Sequence, residues 1–182
     1  MWKLIILSTV LVVAQATNIE QFYGKWVMAA FYPVSTYAPV CIHFTFAKDP
    51  SNVQCTCADG KDTSLVQITM EYEHRHQSVP ILVANYYSEV MPSLNVSCKC
   101  GEAEFKKRTV VRSVNNDYFI LYETIPASME YTRTDIEQNN ANIFSRNIET
   151  QNQFNHVITS IDELEGRRGA TMCTTEVLKM HS

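Results

Sequence analysis

Six cysteines and one His-x-His pair are the residues here whose types and spacing could do chemistry. Cys55-x-Cys57 and Cys98-x-Cys100 each put two thiols on one face of a strand, because side chains alternate with a period of two. Cys41 and Cys173 stand apart from them. Such a set can supply a nucleophile, a four-thiolate zinc site or disulfides. A nucleophile needs a free thiol of lowered pKa, and an even count lets all six pair. One intervening residue departs from the usual spacing of zinc ligands. His74-x-His76 would place two imidazoles together as a metal might require. Its surroundings, 73–77, are polar throughout and read as a solvated loop at the mouth of whatever cavity the fold encloses. There is no Ser-His-Asp set, carboxylate pair or phosphate-binding loop. The reading is therefore of a non-enzyme, with no catalytic residue, no metal and no cofactor.

The redox compartment decides how the cysteines read, and the N-terminus supplies it. Lys3 precedes an apolar run, 4–13, and Ala14-Gln15-Ala16 is a small-x-small cleavage site. This is the pattern of a secretory signal peptide over 1–16. The run is too short to span a bilayer, which takes about 20 residues, so no stable membrane insertion is expected. The mature domain is 17–182, secreted and extracellular. In an oxidising compartment the six cysteines predict three disulfides, with fifteen possible pairings. Asn95-Val96-Ser97 is a glycosylation sequon at Asn95. A net charge of −4 with scattered basic residues argues against nucleic acid as a partner.

These side chains must be positioned by strands. Alternating runs recur from Gly24 to Thr124, with turn residues between them, and another strand is expected over 141–147. Trp26, Met28, Ala30 and Tyr32 share one face of the first. Phe44 and Phe46 share a face of the second, and Val66, Ile68, Met70 and Tyr72 of a later one. Another strand is expected over 80–90, with Pro80 at its start. The period then changes: Phe154, Val157, Ile158, Ile161 and Leu164 predict one amphipathic helix over about 150–165. Eight or so antiparallel strands followed by one helix predict an all-β fold. Closure into an up-and-down barrel, which removes sticky edges, is favoured over a sandwich.

Three separated blocks then resemble the lipocalin family, nearest to its apolipoprotein D and insect bilin-binding group. Gly24-Lys25-Trp26 looks like the first block. Asn116-Asp117-Tyr118 is similar to the second, with Asn116 in place of a threonine. Ile143-Phe144-Ser145-Arg146-Asn147, just before the helix, is similar to the third. The resemblance implies an eight-stranded antiparallel barrel with a helix packed outside, and Arg146 covering Trp26 at the closed end. Gly24, Trp26, Asp117, Tyr118 and Arg146 are then structural. It also implies a Cys41–Cys173 disulfide. The two Cys-x-Cys pairs depart from the bilin-binding pattern. If their strands run antiparallel, Cys55–Cys100 and Cys57–Cys98 form together; the other sense gives Cys55–Cys98 with Cys57–Cys100.

The implied function is to carry or sequester a small hydrophobic ligand, such as a lipid, pigment, hormone or odorant. The cavity candidates are Met28, Ala30, Phe44, Phe46, Val66, Ile68, Met70 and Tyr72, with Tyr118 and Tyr122 as polar handles. Two other readings compete. One is an isomerase, which needs a free cavity cysteine. The other is an interaction protein whose partner, unidentified, docks on loops 33–40 and 126–140.

Overall fold

A computed structural model describes residues 19–32, 40–72, 75–86, 91–125 and 138–180. The alternating runs form β1 (Gly24–Tyr32), β2 (His43–Lys48), β3 (Cys55–Cys57), β4 (Thr63–Tyr72), β5 (Arg75–Asn85) and β6 (Asn95–Cys100). After these come β7 (Ala103–Lys107), β8 (Thr109–Ser113), β9 (Tyr118–Ile125), β10 (Gln138–Ser145), α1 (Gln151–Ile158), β11 (Ala170–Thr171) and α2 (Thr175–Met180). No helix among the described residues is long and apolar enough to cross a membrane.

The barrel closes, but with seven strands rather than the expected eight. The ring runs β1-β2-β4-β5-β8-β9-β10 and returns to β1. It is also not wholly antiparallel: β5 and β8 run parallel, pairing Val83 with Thr109 and Asn85 with Val111. The two departures have one cause. β6 leaves the ring and pairs with β3, placing Cys55 opposite Cys100 and Cys57 opposite Cys98. Both pairs are disulfide-bonded. Directions cannot alternate all the way round a ring of odd number, so one contact must be parallel. It falls where β6 and β7 have been taken out. The separate β3-β6-β7 sheet packs through Val96, Cys98 and Cys100 against Leu82 and Leu65 of the barrel wall. Arg108, at the corner between β7 and β8, is buried and paired with Asp59. It also donates to the Ser93 carbonyl at 2.9 Å, and the pairing holds the Asp59 carboxyl below its usual range.

Losing β6 also explains Pro80. The expected strand over 80–90 is instead β5 at Arg75–Asn85, with Pro80 in its interior opposite Gln67. Only Val83–Asn85 have a partner on the β8 side among the described residues. Pro80 therefore sits on an edge, where its missing N–H costs nothing.

One end of the barrel is filled. Gly24 opens β1 at φ +105°, a conformation L side chains rarely adopt, and a Cβ there would lie 3.0 Å from an Arg146 guanidinium nitrogen. The Arg146 guanidinium stacks 3.5 Å from the Trp26 ring centroid. It donates to the carbonyls of Gln21, Tyr23 and Lys25 at 3.0–3.2 Å. Trp26 Nε1 donates to the Phe22 carbonyl at 2.7 Å. The Arg146 backbone N–H donates to the Asp117 carbonyl, which joins the second block to the third. Above Trp26, Phe22, Phe46, Phe119 and Phe144 pack edge to face or stacked, with centroids 4.6–5.4 Å apart.

The helix packs outside, as the resemblance implies, but is shorter than 150–165. A Thr150–Gln153 capping box starts α1. Thr159 and Ser160 end it, their hydroxyls donating back to the carbonyls of Asn155, His156 and Val157, a competition that disfavours helix continuation. Ile161 and Leu164 stay buried by way of a separate 3-10 turn at Asp162–Leu164. α2 has no counterpart among the sequence expectations.

Candidate functional site: the barrel cavity

The open end of the barrel encloses a cavity of about 400 Å³, inside the range of small-molecule sites. Its position follows from one irregularity in β1. The register of β1 on β10 slips between Met28 and Ala30, leaving Ala29 as an extra residue. A bulge reverses the faces beyond it. Trp26 and Met28 point inward below it, and Phe31 points inward above it. Ala30 joins the cluster beneath α1 instead of the cavity.

The bulge also changes the partner of β1. β2 pairs with it only over Gly24–Val27, and β11 takes its place at Ala30 and Phe31. The Ala29 carbonyl accepts the Met172 N–H at 2.7 Å. Cys173 is bonded to Cys41, with Cα atoms 4.6 Å apart, where β2 gives way to β11. Met172, held between these ties, is 1% exposed and forms part of the cavity wall.

The wall is mostly apolar. Met28, Phe31, Ile42, Phe44, Ile68 and Met70 line one side, and Ile81, Leu121, Phe144 and Met172 continue it. Val79 is 40% exposed near Gln77, marking the open side. The polar remainder is Gln77, Glu123, Asn140 and Asn142. Asn140 is directly opposite Glu123 across β9 and β10, and both face inward. Asn142 Nδ2 donates to Glu123 Oε1 at 2.5 Å. Burial pushes the Glu123 carboxyl above its usual range, and the Asn142 bond opposes this only in part. Asn140 is 3% exposed and its Oδ1 has no hydrogen-bond partner.

The sequence candidates divide accordingly. Met28, Phe44, Ile68 and Met70 line the cavity. Phe46 and Val66 belong to the packed plug below it, and Tyr72, at the last position of β4, is outside the lining set. Tyr118 and Tyr122 are on the opposite face of β9 from the one expected, beneath α1. The Tyr118 hydroxyl donates to Glu149, and burial raises its pKa. Because α1 covers β9, both faces of that strand are apolar and its alternation carries no phase. Glu123, Asn140, Asn142 and Met172 were not expected. A carboxylate alternating with Phe119 and Leu121 was the available signal for the first, and adjacency to Cys173 for the last. All six cysteines are paired. His74 and the loop residues 33–39 and 126–137 are outside the described residues. His76 is exposed on β5, 3.9 Å from Glu71.

No protein-family model matches the chain, and no curated protein matches it. Solved structures do. Lobster apocrustacyanin A1 is 15% identical with a TM-score of 0.42, covering 88% of this chain and 81% of its own. Apocrustacyanin C2 is 16% identical with a TM-score of 0.43 and the same coverage. The siderocalin Ex-FABP, described as working through dual ligand specificities, is 10% identical at 0.44, covering 86% of this chain and 91% of its own.

Proposed function

We propose that this chain is a lipocalin that carries or sequesters a small hydrophobic molecule in its barrel. The observation that carries the reading is the cavity: about 400 Å³, walled by Met, Phe, Ile and Leu with four polar side chains among them. Burying an apolar ligand there gains roughly 25 cal/mol per Å² removed from water. The plug above Trp26 and Arg146 closes the other end, so the ligand enters and leaves on the Val79 side. With every cysteine bonded, a thiol-dependent isomerase has no nucleophile, which favours binding over catalysis. The protein is secreted after cleavage behind Ala16, and Asn95, exposed at the start of β6, carries a glycan.

Two measurements test this. Protein recovered from the medium of expressing cells should give an intact mass beginning at Thr17 and a loss of mass on deglycosylation. The neutral dye N-phenyl-1-naphthylamine should bind with a rise in fluorescence. Met28→Trp and Ile68→Trp, which fill the cavity from β1 and β4 of the same wall, should abolish uptake while the fold stays intact. Absence of dye binding by the natural chain, or unchanged binding by both filled variants, overturns the carrier reading.

A further inference from the structure

We infer that the cavity selects ligands whose apolar body ends in a protonated amine, held between Glu123 and Asn140. The inference rests on the carrier reading and specifies its ligand class. Its basis is the balance of donors and acceptors in the wall. The lining holds one carboxyl and three carboxamides, and no Lys, Arg or His among the described residues. Asn142 already spends an amide N–H on Glu123 Oε1. Asn140 Oδ1, buried, has no donor. The register puts Asn140 and Glu123 opposite each other, both facing the cavity, and directly paired residues hold their Cβ atoms about 4.5–5.5 Å apart. Asn140 Oδ1 is itself covered by protein, so its side chain turns toward the cavity for one donor group to reach both.

Buried acceptors without donors are costly, and Glu123, half-buried in an apolar wall, adds a charge with no cation among the lining residues. The group that answers both needs is an ammonium, with three N–H donors and a positive charge. A hydroxyl supplies one donor and leaves the charge unpaired. A fatty-acid carboxylate supplies no donor and sets like charges together, so it is selected against. The burial that raises the Glu123 pKa is offset once a cation occupies the site, because an adjacent opposite charge favours the ionised carboxylate.

The test uses three probes with one apolar body: decylamine, decanol and decanoate, each competing with N-phenyl-1-naphthylamine at pH 7.5. In the natural chain the amine should bind about ten-fold or more tighter than the alcohol, and the carboxylate weakest. Glu123→Gln keeps the shape and the Asn142 bond. It should bring amine and alcohol within about three-fold while decanol affinity holds. Asn140→Leu should weaken the amine alone. An amine no tighter than the alcohol, or a carboxylate equal to the amine, overturns this inference and leaves the carrier reading standing. No binding by any probe, dye included, overturns the carrier reading itself. The ranking in the natural chain decides the matter even if neither variant folds.

Discussion

Arg146→Ala tests the closed end of the barrel, and its cost can be worked from the contacts. The guanidinium carbon is 3.5 Å from the Trp26 centroid, a stack worth about 1 kcal/mol within the usual cation–π range. The hydrogen bond to the part-buried Tyr23 carbonyl is of the charge-assisted kind, about 1.5 kcal/mol. Those to Gln21 and Lys25 are exposed, and water replaces the donor there at a cost of about 0.5 kcal/mol each. The expected loss is about 3.5 kcal/mol, a large share of an ordinary domain's stability of 5–15 kcal/mol. For a chain of this size that lowers Tm by roughly 7–14 °C. Urea unfolding with disulfides intact, followed by tryptophan fluorescence, measures it. Arg146→Lys should recover the charge but not the fork that serves three carbonyls, and so about half the loss. Dye binding should survive in both, since the plug separates Arg146 from the cavity. A loss under about 1 kcal/mol, or a lysine variant equal to the natural chain, would refute the assignment of Arg146 as the clamp.

The two disulfides of the small sheet should be strongly non-additive. Cys55–Cys100 and Cys57–Cys98 span 45 and 41 residues, one nested in the other, so either alone closes nearly the same loop. Removing one as a Ser pair should cost about 1 kcal/mol and removing both about 4 kcal/mol; urea midpoints showing equal, additive losses would contradict the nesting. Glu123 gives a pH prediction. Its folded pKa is raised above the 4.5 of an exposed Glu, so between the two values the folded state holds more protons and stability falls as pH rises. Glu123→Gln should therefore stabilise the ligand-free protein at pH 7 and leave it unchanged near pH 4, below both values, as read by thermal melts at the two pH values.

The sequence made the plug legible and the site only half so, for a physical reason. Gly24, Trp26 and Arg146 meet because each meets a demand no other residue type satisfies: a positive φ beside a guanidinium, a large apolar body with one N–H, and a planar cation with several donors. The resemblance of three separated blocks brings them together; Gly24-Lys25-Trp26 alone is a weak signal. The cavity depends instead on phase, which alternation supplies only while a strand stays regular and has one wet face. In β4 the alternation correctly set Ile68 and Met70 inward. In β1 the bulge at Ala29 reversed it, turning Ala30 out and Phe31 in. In β9 the helix dried the outer face, so Tyr118 and Tyr122 looked as inward as Phe119 and Leu121. Strand count failed at β6 because its cysteines bind it more firmly to β3 than the ring's open ladder positions would.

The Ala29 bulge is thus more than a local defect of β1. Below it, inward residues build a plug; above it, they line a space. At the same point β2 departs, and the unpaired edge of β1 would face solvent beside the cavity if nothing replaced it. β11 does so, and only two residues of it are needed, Ala170 and Thr171, because the Ala29 carbonyl and the Cys41–Cys173 bond fix the segment that follows. So short a strand gains little from its own ladder. The disulfide must supply the closure entropy that two residues cannot, since it ties the tail across a separation of 132 residues and removes about 5 kcal/mol of freedom from the unfolded chain. Met172, between the bulge and the disulfide, is the side chain this arrangement delivers to the wall. The third disulfide therefore completes the cavity wall as well as the fold, whereas the pair in the small sheet sets the strand count and touches the cavity only through the barrel wall.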